Sequence, residues 1–224
     1  CDSNFQKMYI ISSFAQQLER IMMRKIFVIF LLGAAVFNAK AQFVEGKNYD
    51  VVSETATEEA TVTEFFSFYC GHCFQFESML DEFKKGLNSG TNFEKSHVNY
   101  IPRNNPAVQL GIVKAFLVVQ ALDMDEKLRP AFFDYIHVQA KVVETEAAIK
   151  EMFEANGVSG SDFDKHYNDP KLEKVAMKMS EEWKTKQVSM VPTLVINGKY
   201  KINMNSVGTL DDLIKLTNFL LEKK

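Results

Sequence analysis

Cys70-Gly71-His72-Cys73 stands where a strand pattern gives way to a helical one. Before it, Glu64 to Tyr69 reads EFFSFY; after it, Phe74 onward reads FQFESMLDEFKKGL. Such a chain needs a fold that ends a strand at the mouth of a helix. The first cysteine then faces the helix's free N–H groups and the positive end of its dipole. Both favour thiolate over thiol, and the thiolate is the species that attacks or leaves in disulfide exchange. The spacing therefore points to thiol–disulfide chemistry. Cys70 is the candidate nucleophile, expected to be exposed at the helix mouth. Cys73, one turn in, is the candidate resolving thiol, expected to be shielded. A structural zinc needs four ligands. There is no second CxxC, and the only histidines are His72, His97, His137 and His166, so no metal is expected.

The sequence ahead of this motif carries an export signal. Met23-Arg24-Lys25 is a short basic region, and Ile26 to Phe37 is an apolar run too short to span a bilayer comfortably. Asn38-Ala39-Lys40-Ala41 supplies a small-x-small cleavage signal. Residues 23–41 thus read as a secretory signal peptide cut after Ala41, and residues 1–22 as upstream sequence read through in frame. An exported protein lives where disulfides persist. Cys70 and Cys73 are the only cysteines after that cut. A bridge so closely spaced closes almost no loop and stabilises little by chain entropy, so a catalytic role explains it better. The formal charge of −3 argues against a nucleic-acid partner.

Further along, Thr61 to Phe68 is a near-continuous apolar run, as a buried central strand would be. One helix is expected from about Gly71 to Asn88, and a second strand over Phe93 to Tyr100. Arg103 to Gln187 reads as helical throughout. Asn105-Pro106, Asp125, Thr145, Ser161 and Asp169-Pro170 open successive helices. Strand signals return at Thr193 to Ile196, with an Asn197-Gly198 hairpin turn and Tyr200 to Ile202 as partner. Thr209 caps a last helix. The order βαβ, helical block, ββα predicts an α/β protein with the thioredoxin arrangement and an inserted all-helical subdomain. The expected divisions are 42–102 and 188–224 for the thioredoxin-like parts and 103–187 for the insertion, whose last helix rejoins the sheet.

Several residues around the motif are candidates for its chemistry. His72 offers a positive charge or a donor beside a thiolate, which lowers the Cys70 pKa, stabilises the reduced form and makes the disulfide more oxidising. Gly71 is the other member of the intervening pair that tunes this poise. Pro192 opens a strand just before a hairpin. In a thioredoxin-type fold this position packs beside the cysteines, and a cis Val191–Pro192 bond leaves the Val191 backbone to pair with an extended peptide. Glu64 sits inside an apolar strand, either as a strand-end residue reaching solvent or as a buried carboxylate that handles protons during exchange. Lys95 is its candidate partner, since unpaired buried charge is costly. His97 either lines the site or is a core histidine. His137 and His166 read as structural or surface residues. Tyr69 and Phe74 flank the motif and could help form an apolar substrate surface.

Together, EFFSFYCGHCFQFE, HVNY, VPTLVINGKY, the terminal LLEKK and the start at Gln42 to Tyr49 resemble the bacterial DsbA family of exported thiol–disulfide oxidases. The resemblance implies a monomeric periplasmic enzyme with no cofactor beyond its redox-active disulfide. It implies that Cys70 forms mixed disulfides with thiol-bearing exported proteins and that Cys73 is its buried partner. Pro192 resembles the family's cis-proline, Val191 the residue before it, and Glu64 and Lys95 its buried charged pair. It further implies reoxidation by a DsbB-like, quinone-linked membrane protein. One departure is Gly71, where the best-known members have proline; CGHC is the motif of eukaryotic protein disulfide isomerase. Two alternatives stay open: an isomerase or reductase of the same fold, and a peptide-binding chaperone module whose cysteines are incidental.

Overall fold

The computed structural model describes residues 43–103 and 105–223. The signal-peptide reading of 23–41 and the reading of 1–22 lie outside the described residues. A five-stranded mixed sheet forms the centre. In chain order the strands are β1 (Tyr49–Val51), β2 (Thr61–Phe66), β3 (Asn92–His97), β4 (Thr193–Ile196) and β5 (Tyr200–Ile202); in space they run β1-β5-β4-β2-β3. Strand β2 pairs parallel with β3 and antiparallel with β4, and all six of its residues are buried. That burial on both faces takes in Thr61, Thr63 and Glu64 as well as Val62, Phe65 and Phe66, so the strand shows no polar face turned to solvent.

Helices α1 (Gly71–Glu77) and α2 (Leu80–Lys85) follow β2. A single helix to Asn88 is expected from sequence, but the chain breaks at Ser78 and Met79. The Ser78 N–H donates to the Gln75 carbonyl at 3.3 Å, Met79 N–H to Phe76 at 3.0 Å, and the Ser78 hydroxyl also donates to Gln75, at 2.7 Å. A serine hydroxyl that competes for a carbonyl loosens the helical ladder. The break lets Phe76, Leu80 and Phe83 all enter the core between the sheet and the last helix. Gly86, just past α2, lets that helix come close: a Cβ there would lie 2.7 Å from Ile214 Cδ1.

Between β3 and β4 lie α3 (Pro106–Ala121), α4 (Asp125–His137), α5 (Glu146–Ala155), α6 (Gly160–Tyr167) and α7 (Pro170–Thr185); α8 (Leu210–Glu222) closes the chain. Asn105, Thr145, Ser159, Asp169 and Thr209 each accept a backbone N–H of the first turn they precede, which explains why these boundaries are legible. The Asn197-Gly198 turn has φ of 52° and 60°, the left-handed pair that a tight hairpin requires. Apart from Val113 and Leu117, which pack on Ala176 of α7, the buried side chains of α3 to α6 do not form a separate core. They pack with Phe66, Phe68, Cys70 and Cys73 in one aromatic-rich cluster.

Candidate active site

Cys70 caps α1. Its backbone is extended (φ −92°, ψ 111°) and its sulfur accepts the Cys73 N–H at 3.1 Å. The sequence supplies no Ser, Thr, Asp or Asn at this cap, so a sulfur does the capping. That geometry favours negative charge on Sγ. A hydrogen bond from the Cys73 thiol lowers the Cys70 pKa most, and the backbone N–H groups of Cys73 and His72 lower it further, against burial and the charge of Glu64. Cys73 is fully buried, and its thiol is pushed far up, first by burial and then by its bond to Cys70. The two thiols are therefore opposites.

Cys70 is not exposed, as its position alone suggests, but only 8 % accessible. Val191 lies across the helix mouth, and its carbonyl accepts the Cys70 thiol at 3.3 Å. The Val191–Pro192 peptide is cis. The β2–β4 register ends at Phe65–Thr193, so Val191 has left the ladder where it meets the sulfur. Tyr69, Phe74 and Val191 all pack on the cluster that holds both cysteines. The contribution of His72 to Cys70 is through its backbone N–H; the residue itself is solvent-exposed. Gly71 is exposed, with nothing within 4 Å of where a Cβ would stand.

Charge is gathered beneath the motif. Glu64 is fully buried, and its Oε2 accepts from Lys95 Nζ at 2.5 Å, so the pair reading holds over the strand-end one. Lys95 also reaches Glu77 Oε1 at 2.6 Å, Glu77 Oε2 pairs with Arg129 Nη1, and Arg129 Nε donates to Asp125 at 2.8 Å. Sequence reasoning misses Glu77 and Arg129. Both sit on helices, where a charged residue is ordinary, and only the packing of α4 against α1 joins them. The one available signal was Glu64 itself, a carboxylate in an apolar strand, whose surroundings must compensate it.

His97 proves to be a core histidine. Its Nε2 accepts the Phe68 N–H at 3.0 Å, its Nδ1 faces the Val98 carbonyl at 2.7 Å, and burial lowers its pKa to about 3. His137, by contrast, lies close to the site. Its ring stacks on Phe74 with centroids 5.2 Å apart, and its Nε2 lies 2.8 Å from the Phe68 carbonyl. His166 lies in the last turn of α6, away from these residues. The Tyr69 hydroxyl donates to the Val143 carbonyl at 2.5 Å and accepts the Val143 N–H at 3.1 Å. The loop after α4 is thus tied to the residue before the nucleophile.

Comparison with known proteins agrees with this geometry. Residues 54–216 match the family model described as thioredoxin. The chain is 31 % identical over 212 residues to the thiol:disulfide interchange protein DsbA of Pectobacterium carotovorum subsp. carotovorum, covering 90 % of this chain and 100 % of that protein. It is 32 % identical to the Yersinia pestis protein of the same name, over 82 % of this chain and 91 % of that one. Among solved structures, a Proteus mirabilis DsbA holding a non-covalently bound peptide superposes with a TM-score of 0.71 at 26 % identity, covering 82 % of this chain and 100 % of that one.

Proposed function

Because the chain belongs to the thioredoxin family and, within it, to the DsbA thiol:disulfide interchange proteins, we propose that it is an exported, periplasmic thiol:disulfide oxidase that passes the Cys70–Cys73 disulfide to newly secreted proteins. The observation that carries this reading is the opposition of the two thiols: one capping a helix and favoured as thiolate, the other buried and held as thiol.

The chemistry follows from that opposition. A substrate thiolate attacks Cys70 Sγ; the Cys70–Cys73 bond breaks, and Cys73 leaves with the electron pair and takes up a proton. A second substrate thiolate then attacks the substrate sulfur of the mixed disulfide. Cys70 leaves as the thiolate that the N–H groups of α1 stabilise. The substrate dithiol loses two electrons and the enzyme gains them, so the redox equivalents reside in the cysteines themselves. The Val191 backbone, placed at the sulfur, is where an extended client would align. Glu64 and Lys95 would manage charge and protons below. Reoxidation falls to a DsbB-like, quinone-linked membrane protein.

The test is the equilibrium of the Cys70–Cys73 pair with glutathione buffers. A potential well above that of glutathione supports an oxidase; one near thioredoxin's moves the protein to the reductase class. Cys70→Ser is expected to abolish oxidation of a reduced client. Retained function in that variant would favour the chaperone reading.

A further inference from the structure

We propose that Arg129 is a positioning residue for the redox centre: anchored on α4 by Asp125, it holds Glu77 so that Lys95 is shared between Glu77 and Glu64 beneath the cysteines. The bonds of Arg129 go to Glu77 and Asp125, not to either cysteine. Its position depends on two bonds, one to each carboxylate that brackets it. Its side chain is 11 % exposed, and those of Glu77, Lys95 and Glu64 are 12 %, 6 % and 0 % exposed.

Counting charges shows why the guanidinium matters. Glu64 and Glu77 are negative, Lys95 and Arg129 positive, and the buried set is neutral. Without Arg129 a single ammonium faces two buried carboxylates. Uncompensated charge in a poorly solvated site is costly, and here it would lie under a group that must itself become negative. Arg129 suits the task because a guanidinium keeps its proton when buried and binds with a fixed fork.

The charged groups around this set are Glu64 on β2, Glu94 and Lys95 on β3, Glu77 on α1, Lys84 on α2, Asp123 in the turn between α3 and α4, and Asp125 on α4. Lys84, Lys95, Asp125 and Arg129 line a cavity of about 290 Å³ beside the network. Electrical reach between the two layers is also visible. The charge of Glu64 opposes ionisation of both Cys70 and Cys73, and that same charge supports the protonated state of Arg129 against its burial.

The inference rests on the Cys70–Cys73 pair being the redox centre. The experiment is the ultraviolet thiolate titration of Cys70 in the reduced protein, paired with its equilibrium against glutathione. Arg129→Met is expected to move the titration up by about half a pH unit and to make the disulfide about threefold less oxidising. Arg129→Lys, which restores the charge, is expected to move it back towards the parent value. Glu77→Gln, which leaves the buried set with excess positive charge, is expected to move it down. In that background Arg129→Met should lose most of its effect. A parent protein with no depressed thiolate titration overturns the redox reading itself. A normal parent titration that stays put in a folded Arg129→Met overturns the role of Arg129. So does an Arg129→Met shift that persists undiminished with Gln at position 77. If Arg129→Met does not fold, Arg129→Gln takes its place: a titration that rises in Arg129→Gln and returns in Arg129→Lys supports the role of Arg129, and one that stays at the parent value in Arg129→Gln overturns it.

Discussion

The two ends of helix α1 deal with negative charge in different ways. At its N-terminal end the Cys70 sulfur is met from within one turn, by the Cys73 thiol and by the backbone N–H groups of Cys73 and His72. At its C-terminal end Glu77 is met by side chains from two distant elements, Lys95 of β3 and Arg129 of α4. The first arrangement comes with a helix that begins at the first cysteine of a CxxC pair. The second exists only once three segments have packed. Chemistry at the mouth is therefore written locally, whereas the stability of the floor is concentrated in two long cations.

The largest break in that contrast is expected from Lys95→Met. It leaves Glu64 and Glu77 buried with Arg129 alone to face them, and removal of one partner of a buried ion pair costs about 3–5 kcal/mol. The measurement is urea unfolding of the reduced protein. A loss under about 1 kcal/mol, the worth of a surface pair, would mean that the floor is wetter than its geometry indicates.

The N-terminal end makes a prediction about pH. Cys70 has a folded pKa below the 9.0 of a free thiol. Its contribution to the stability of the reduced protein is therefore complete above pH 9 and is lost as pH falls through the folded pKa, at up to about 1.4 kcal/mol per pH unit in between. The oxidised protein has no Cys70 thiol to titrate. Unfolding curves of the two forms should thus converge on acidification and separate towards neutral pH, with the reduced form gaining. Parallel curves would show that the cap does not stabilise a thiolate.

The smallest effect is expected at Gly71. A Cβ there meets nothing within 4 Å, and the position opens a helix. Gly71→Ala should therefore stabilise the protein by about 0.5–1 kcal/mol, chiefly by narrowing the unfolded ensemble. A lowered urea midpoint would sharpen the comparison differently, by showing that a side chain at the mouth of α1 is strained in the folded state.

What was legible in the sequence divides along the same line. The cysteine turn, the capped helices and the Asn197-Gly198 hairpin are local, and each was readable from a few adjacent residues. Strand β1 was not: only Tyr49 of its three residues is buried, so it has no alternation to detect, and it is a strand only because β5 pairs with it. The break at Ser78 escaped for a related reason, since Phe76, Leu80 and Phe83 fit one continuous helix nearly as well as two. Lys95 was readable as the partner of Glu64 because a carboxylate in an apolar strand needs compensation and Lys95 lies on the next strand, which the parallel register bears out; the extension to Glu77 and Arg129 depended on how α4 lies against α1.

The strand order β1-β5-β4-β2-β3 has a consequence for the timing of biogenesis. As the chain emerges from the ribosome N-terminus first, β1, β2, the cysteine turn and β3 arrive early, yet the strands that join β1 to β2 are β5 and β4, which arrive almost last. The parallel β2–β3 pair and α1 can therefore assemble around the two thiols long before the segment carrying Val191 has appeared. A molecule caught at that stage has its reactive sulfur without the wall that covers it. Arrest of synthesis before residue 190 should leave Cys70 without that wall, so that small alkylating reagents react with it faster than in the finished protein.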